Sequence, residues 1–275
     1  MILQCIREGL EREAAGVLVA EVRIGLGYTA VRLDSDRVGL AYTPREEAPP
    51  GCCVLPDAGR LAGQPARDLL GRLETPTPLE RAVGLATANA LLAGRSMPDV
   101  VEGDVLDAIA LTATDRVGMV GHFVPLESRL RARVASLMIF EKAHRRGAGI
   151  LPAEQAVDLL PTCTVAIITA TVLLGEDPDP LLRATAACRE VVLLGPSTPL
   201  YPEAFAGGPV TWLSGVVVAN PLAVLRVVSE GGGTRECGPF IRRVNLRVGG
   251  GLDDVGCAVR CRADRCAPAQ EEMSP

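Results

Sequence analysis

Three short segments of this chain carry residues suited to holding a ligand: Gly121-His122-Phe123-Val124-Pro125, Thr169-Ala170-Thr171 and Gly195-Pro196-Ser197-Thr198-Pro199. Each follows an apolar run, the clearest being Val191-Val192-Leu193-Leu194. Such a run bounded by turn residues reads as a strand buried on both faces that ends at a loop. Hydroxyls and main-chain N–H groups at strand ends suit phosphate or carboxylate oxygens. A helix starting just after Gly121 would favour an anion there. Taken singly, each segment is equally ordinary turn chemistry, because Ser, Thr, Gly and Pro dominate tight loops. Three together favour a site, with Gly121, Phe123, Thr169, Thr171, Gly195, Ser197 and Thr198 as its expected ligand-binding residues.

Two side chains near these loops could do more than hydrogen-bond. His122, one of two histidines, could ligate a metal or exchange a proton near neutral pH, although a lone loop histidine is more often simply solvated. Glu141 ends the apolar run Leu137–Phe140. An acidic residue at a second strand's end holds ribose hydroxyls in dinucleotide-binding folds, but Glu141 could equally cap a turn or pair with Lys142. If the protein ligates a metal directly, His122 and Glu141 are the side chains available for it beside these loops. Asn89 lies inside the apolar run Ala86–Leu92, where a buried amide needs partners, either the main chain or a ligand at a domain interface. A P-loop, a Ser-His-Asp order, a GxGxxG fingerprint and a His-x-x-x-His pair are all missing from the sequence.

The elements that must position these residues fall into two groups. Residues 2–15 have helical apolar spacing, and Val17–Arg23, Thr29–Leu33 and Arg37–Tyr42 read as an antiparallel meander. Arg67–Leu73 reads as a short helix, and Pro78–Leu92, with proline in its first turn, as a strong one. From about residue 114 strands and helices alternate, which implies a doubly wound parallel sheet. The expected fold is thus α/β, with an α+β domain over 1–112, a parallel-sheet domain over 113–249 and a flexible tail over 250–275. In such a sheet a ligand lies beyond the carboxyl ends of the strands, where strand order reverses.

Composition narrows the function. Net charge is −5 and the arginines are scattered, so the concentrated positive face that nucleic acid requires is not expected. Aromatic residues make up only 3%, which also argues against base-stacking platforms. The longest apolar stretches are strand length, short of the ~20 residues of a membrane span. With no basic-then-apolar leader, a cytoplasmic protein is expected. Among nine cysteines, Cys5, Cys163 and Cys188 sit in apolar contexts and read as small core residues. Cys52-Cys53 and the tail residues Cys257, Cys261 and Cys266 match no common zinc spacing.

On several of these same residues the chain resembles a bacterial and archaeal heavy-metal chelation domain family. The matching segments are Gly39–Thr43, Glu80–Ala90, Val117–Leu126, Phe140-Glu141, Ile168–Thr171 and Gly195–Leu200, within roughly residues 15–230. The resemblance implies an enolase N-terminal-like first domain, a Rossmann-like second domain and a site in the cleft between them. It also implies that Asn89 and Tyr28 approach the three loops. One departure stands out: family members usually carry an asparagine shortly after the Thr-x-Thr turn, where this chain reads Val172-Leu173-Leu174-Gly175-Glu176-Asp177.

The leading expectation is a protein that binds a small anionic ligand, a metal ion or a metal complex in that cleft, with a role in heavy-metal handling. Direct metal ligation is the weaker version, since soft metals prefer thiolates or several imidazoles. The alternatives are an enzyme with a nucleotide-type cofactor, such as S-adenosylmethionine or a dinucleotide, and a non-catalytic interaction protein. A homodimer is the default oligomer.

Overall fold

The computed structural model describes residues 1–48, 54–55, 57–143, 147–175 and 177–249. The expectations for Cys52, Cys53, Cys257, Cys261, Cys266 and the tail 250–275 lie outside those residues. The strands are β1 (Val19–Ile24), β2 (Tyr28–Leu33), β3 (Val38–Tyr42), β4 (Val101–Glu102), β5 (Arg116–Val120), β6 (Ser136–Glu141), β7 (Leu151–Pro152), β8 (Val165–Thr169), β9 (Glu190–Leu194), β10 (Trp212–Val218) and β11 (Ile241–Arg247). They form a three-stranded antiparallel sheet, β1-β2-β3, and an eight-stranded sheet in the order β4-β11-β10-β9-β8-β5-β6-β7. The fold is α/β with two units: a small antiparallel sheet and a large, mostly parallel one.

The helix Pro78–Leu92 is the hinge of the architecture. Its sequence is apolar on nearly every side, and twelve of its residues are buried, including Val83, Leu85, Ala86 and Leu91. A helix of that kind must be enclosed rather than laid on a surface. One flank covers the face of the small sheet that carries Val31, Leu33 and Ala41. The same core continues without a break into Val120, Phe140, Ile168 and Leu193 of the large sheet. Gly39 makes the helix contact possible, since a Cβ there would lie 2.1 Å from the Ala86 carbonyl oxygen and 2.2 Å from the Ala90 nitrogen.

The small sheet's other face, with Tyr28, Ala30, Val38 and Leu40, is covered by Val224, Leu225 and Val228 of the helix Pro221–Ser229. This explains the main departure from a fully parallel sheet. The helix after β10 is recruited to the small sheet instead of crossing the large one, and the chain re-enters as β11 antiparallel to β10, Trp212 pairing with Arg247 and Val218 with Ile241. Residues 101–109, grouped by sequence with the first domain, pack with the second. Val101–Glu102 pairs with β11, and Val105, Leu106 and Ile109 join the core of Val117 and Met119. The expected helix over 2–15 is split into Ile2–Gly9 and Glu11–Ala14 at Leu10, next to Gly9, whose carbonyl accepts the Tyr201 hydroxyl at 3.2 Å. Among the described residues no helix is long and apolar enough to cross a membrane.

A buried carboxylate ties the amino-terminal edge of the large sheet. Asp115, before β5, accepts from Arg189 (2.5 Å), from Thr164 (2.7 Å) and from the Thr112 amide (2.7 Å). Burial by itself would raise its pKa; Arg189 and the other donors outweigh it and hold the carboxyl down to about 2.

Two outcomes are expected. Gly39→Ala forces β3 off the helix and costs about 1–3 kcal/mol, read as a lower urea midpoint at constant slope; an unchanged midpoint would mean the contact opens freely. The depressed Asp115 pKa contributes stability that is complete above its unfolded value and is lost as pH falls toward about 2. Asp115→Asn therefore lowers stability at neutral pH, by roughly 2 kcal/mol, and flattens the stability curve between about pH 4 and 2.

Candidate functional site

In the large sheet the chain runs from β5 outward to β6 and β7, then returns to β8 on the opposite side of β5. Strand order therefore reverses between β5 and β8, the position at which a doubly wound sheet leaves a crevice beyond its carboxyl ends. A cavity of about 280 Å³ occupies that position. The strand ends supply Gly121, His122, Phe123, Glu141, Thr169 and Thr171, and the end of β3 with the segment after it supplies the facing wall, with Tyr42, Pro44, Glu46 and Glu47.

Local geometry explains why these residues meet. Gly121 has φ +88°, and a Cβ there would lie 2.9 Å from the Thr169 side chain, so only glycine lets the end of β5 press against the end of β8. Thr169 Oγ1 lies 3.0 Å from Thr171 Oγ1 and accepts the Thr171 amide at 3.4 Å, closing the turn into Ala170–Leu174. Glu141 is a staple: one carboxylate oxygen accepts the His122 amide at 2.9 Å and the other the Lys142 amide at 2.8 Å. Lys142 pairs across the cavity mouth with Glu47. Tyr42 donates its hydroxyl to Glu46 at 2.8 Å.

His122 is held at both ends. Besides the amide bond to Glu141, its ring Nε2 lies 2.6 Å from Glu127 Oε2, in the first turn of the helix Val124–Arg131. Glu127 Oε1 accepts from Arg131 at 2.9 Å. First His122 and then Arg131 hold the Glu127 carboxyl below the usual glutamate range. Sequence reading did not single out Glu127. The available signal was a glutamate opening a helix five residues after a histidine, with arginine at the i+4 position.

Gly195, Ser197, Thr198 and Asn89 do not line this cavity; the loop that carries the first three follows β9, one strand farther from the switch point. Ser197 and Thr198 are buried and engaged. Ser197 Oγ accepts the Tyr42 amide at 2.8 Å, and Thr198 donates toward the Leu193 carbonyl at 3.4 Å. Asn89 donates to the carbonyls of Leu40 (2.7 Å) and Ser197 (3.4 Å). The loop and the asparagine together lock β3 and the long helix to the large sheet. Tyr28 is likewise away from the cavity: its hydroxyl bonds with Thr234, and burial pushes its pKa up to about 12. Arg81 was also passed over by sequence reading. It reaches from the long helix to the carbonyls of Leu174 (3.1 Å) and Gly175, behind the cavity wall.

The donor set does not fit a bare heavy-metal ion. Among the described residues no group of three His, Cys, Asp or Glu side chains could hold one. Cys163 and Cys188 precede β8 and β9, at the far end of the strands from the cavity, and burial raises both thiols, Cys188 to about 11, so they stay protonated. Both Glu141 oxygens already accept main-chain N–H groups.

Comparison with known proteins agrees with this architecture. The model of the family DUF364, described as "Putative heavy-metal chelation", matches residues 104–247, and that of DUF4213, with the same description, matches residues 7–92. A DUF364 protein of unknown function from Pyrococcus horikoshii matches with a TM-score of 0.81 over 90% of this chain and 100% of its own, at 20% identity, a likeness of fold alone. A second, from Desulfitobacterium hafniense, matches with a TM-score of 0.74 at 25% identity, over 90% of this chain and 97% of its own. No curated protein matches in sequence.

Ser197→Ala leaves the Tyr42 amide without its acceptor, at an expected cost of about 1–3 kcal/mol. Hydrogen exchange at Tyr42 should accelerate in this variant; unchanged protection there would show that the serine does not hold β3.

Proposed function

Since the chain belongs to the DUF364 family, described as "Putative heavy-metal chelation", we propose that its interdomain cavity binds a small metal complex, with the metal arriving already chelated. The observation that carries this reading is the mismatch between the cavity's size and its donors. About 280 Å³ is far more than an ion needs, since a water molecule takes only ~30 Å³, and it approaches the volumes of small-molecule sites. Yet the lining offers one imidazole and carboxylates that are already engaged. A complex brings most of its own donors and needs few from the protein. The paired charges Glu47–Lys142 and Glu46–Arg45 also leave no concentrated positive face for a free anion.

A nucleotide cofactor is the second reading, favoured by Glu141 at the end of β6 beside the glycine turn after β5. It is the weaker one, because the carboxylate that would take ribose hydroxyls is occupied by two amides.

The test compares aqueous Ni²⁺ with Ni(II)–iminodiacetate, a neutral chelate with open coordination positions, by calorimetry on untagged protein. Tighter binding of the chelate, weakened at least tenfold in His122→Ala, is the expected result. Equal or tighter binding of the bare ion overturns the proposal. Stabilisation by S-adenosylmethionine or a dinucleotide, about 2.7 kcal/mol at one hundred times its Kd, would favour the second reading instead.

A further inference from the structure

We infer that Glu127 is the positioning residue of this cavity: it fixes the His122 ring so that Nδ1 carries the lone pair and serves as the donor atom offered to the metal of a bound complex. The inference rests on the metal-complex reading of the cavity and goes beyond it by assigning the atom and the residue that sets it.

The geometry leaves little freedom. The His122 main chain is pinned by Glu141 through its amide at 2.9 Å, and the ring is pinned by Glu127 at 2.6 Å from Nε2. Glu127 is itself oriented by Arg131, whose guanidinium donates to the other carboxylate oxygen at 2.9 Å. A carboxylate already accepting from a guanidinium has only acceptor oxygens to offer. The hydrogen between Glu127 and His122 therefore sits on Nε2, which makes Nδ1 the lone-pair nitrogen of the neutral ring. Among the described residues Nδ1 has no partner, and His122 lines the cavity.

The other side-chain oxygens at the strand ends already make hydrogen bonds within the protein. Thr169 and Thr171 share a hydrogen bond, and Glu141 serves two amides. One fixed imidazole nitrogen cannot hold a bare ion, but it can fill an open position on a complexed one. Its chemistry selects divalent metals that favour imidazole, such as Ni²⁺, Cu²⁺ or Zn²⁺, over thiophilic ones. A carboxylate orienting a metal-bound histidine typically changes affinity by about 10–100-fold when removed.

The ring tautomer can be read directly by two-bond ¹H–¹⁵N NMR. In a His144→Gln background His122 is the sole histidine, and the spectrum of the neutral ring should report hydrogen on Nε2. Hydrogen on Nδ1 would overturn the inference. Glu127→Gln and Glu127→Ala should each release the ring into a mixture of tautomers and weaken Ni(II)–iminodiacetate binding by about 10–100-fold, with the fold intact by circular dichroism. If both variants bind the chelate as well as the parent while His122→Ala loses it, Glu127 has no positioning role, although the cavity reading survives. If the parent shows the expected tautomer but does not bind the chelate, the metal-complex reading fails and the donor assignment with it, leaving Glu127 only its hold on the ring.

Discussion

The contact between β3 and the helix Pro78–Leu92 is the constraint on which the remaining structure depends. Only a glycine at position 39 lets the strand approach the helix backbone so closely. With that contact made, the helix is enclosed by the small sheet on one flank and by the core of the large sheet on the other. The energy behind this arrangement is apolar burial: a helix that is apolar on nearly every side gains most when no flank meets water. The cavity follows from it. The segment Tyr42–Glu47 hangs from the end of β3, so fixing β3 against the helix sets the facing wall above the strand ends.

Polar groups then lock what apolar burial brings together. Asn89 and Ser197 join the helix, β3 and the loop after β9 through main-chain partners. Arg81 does the same behind the cavity wall, where it holds the carbonyls of Leu174 and Gly175. Glu141 fastens the loop after β5 to the end of β6. Many of the polar residues that look ready for a ligand are thus satisfied by the protein itself. That division of labour leaves the His122 ring, held by Glu127 through Nε2, with an unspent Nδ1 among the described residues that line the cavity.

The helix Pro221–Ser229 illustrates how one element can override a local expectation. Its apolar face is consistent with a crossover on the large sheet, yet the uncovered face of the small sheet claims it. The antiparallel β11 follows from that choice, because the chain re-enters the sheet from the end it left. The units are therefore wrapped by each other's helices, and the cavity sits between partners that share one core.

The positions of the elements were written in the sequence. The helix Pro78–Leu92 has the bounds expected from periodicity and turn residues, and strands and helices alternate after about residue 114 as expected, because those signals are local. The residues at the ends of β5, β6 and β8 were legible for the same reason. Which of them face one another was not, since a strand-end serine looks the same whether it meets a ligand or the amide of a distant strand. By type and position Ser197 and Asn89 suit a ligand site, and in the structure their hydrogen bonds tie β3 to the large sheet and the long helix. Glu127 went unnoticed because an exposed-looking glutamate in a helix's first turn gains meaning only when a fixed imidazole points at it. Local chemistry dictated the strands, the helices and the reactive side chains; the order of strands in the sheet and the enclosure of one helix decided which side chains remain available, because availability is a property of neighbours and not of residue type.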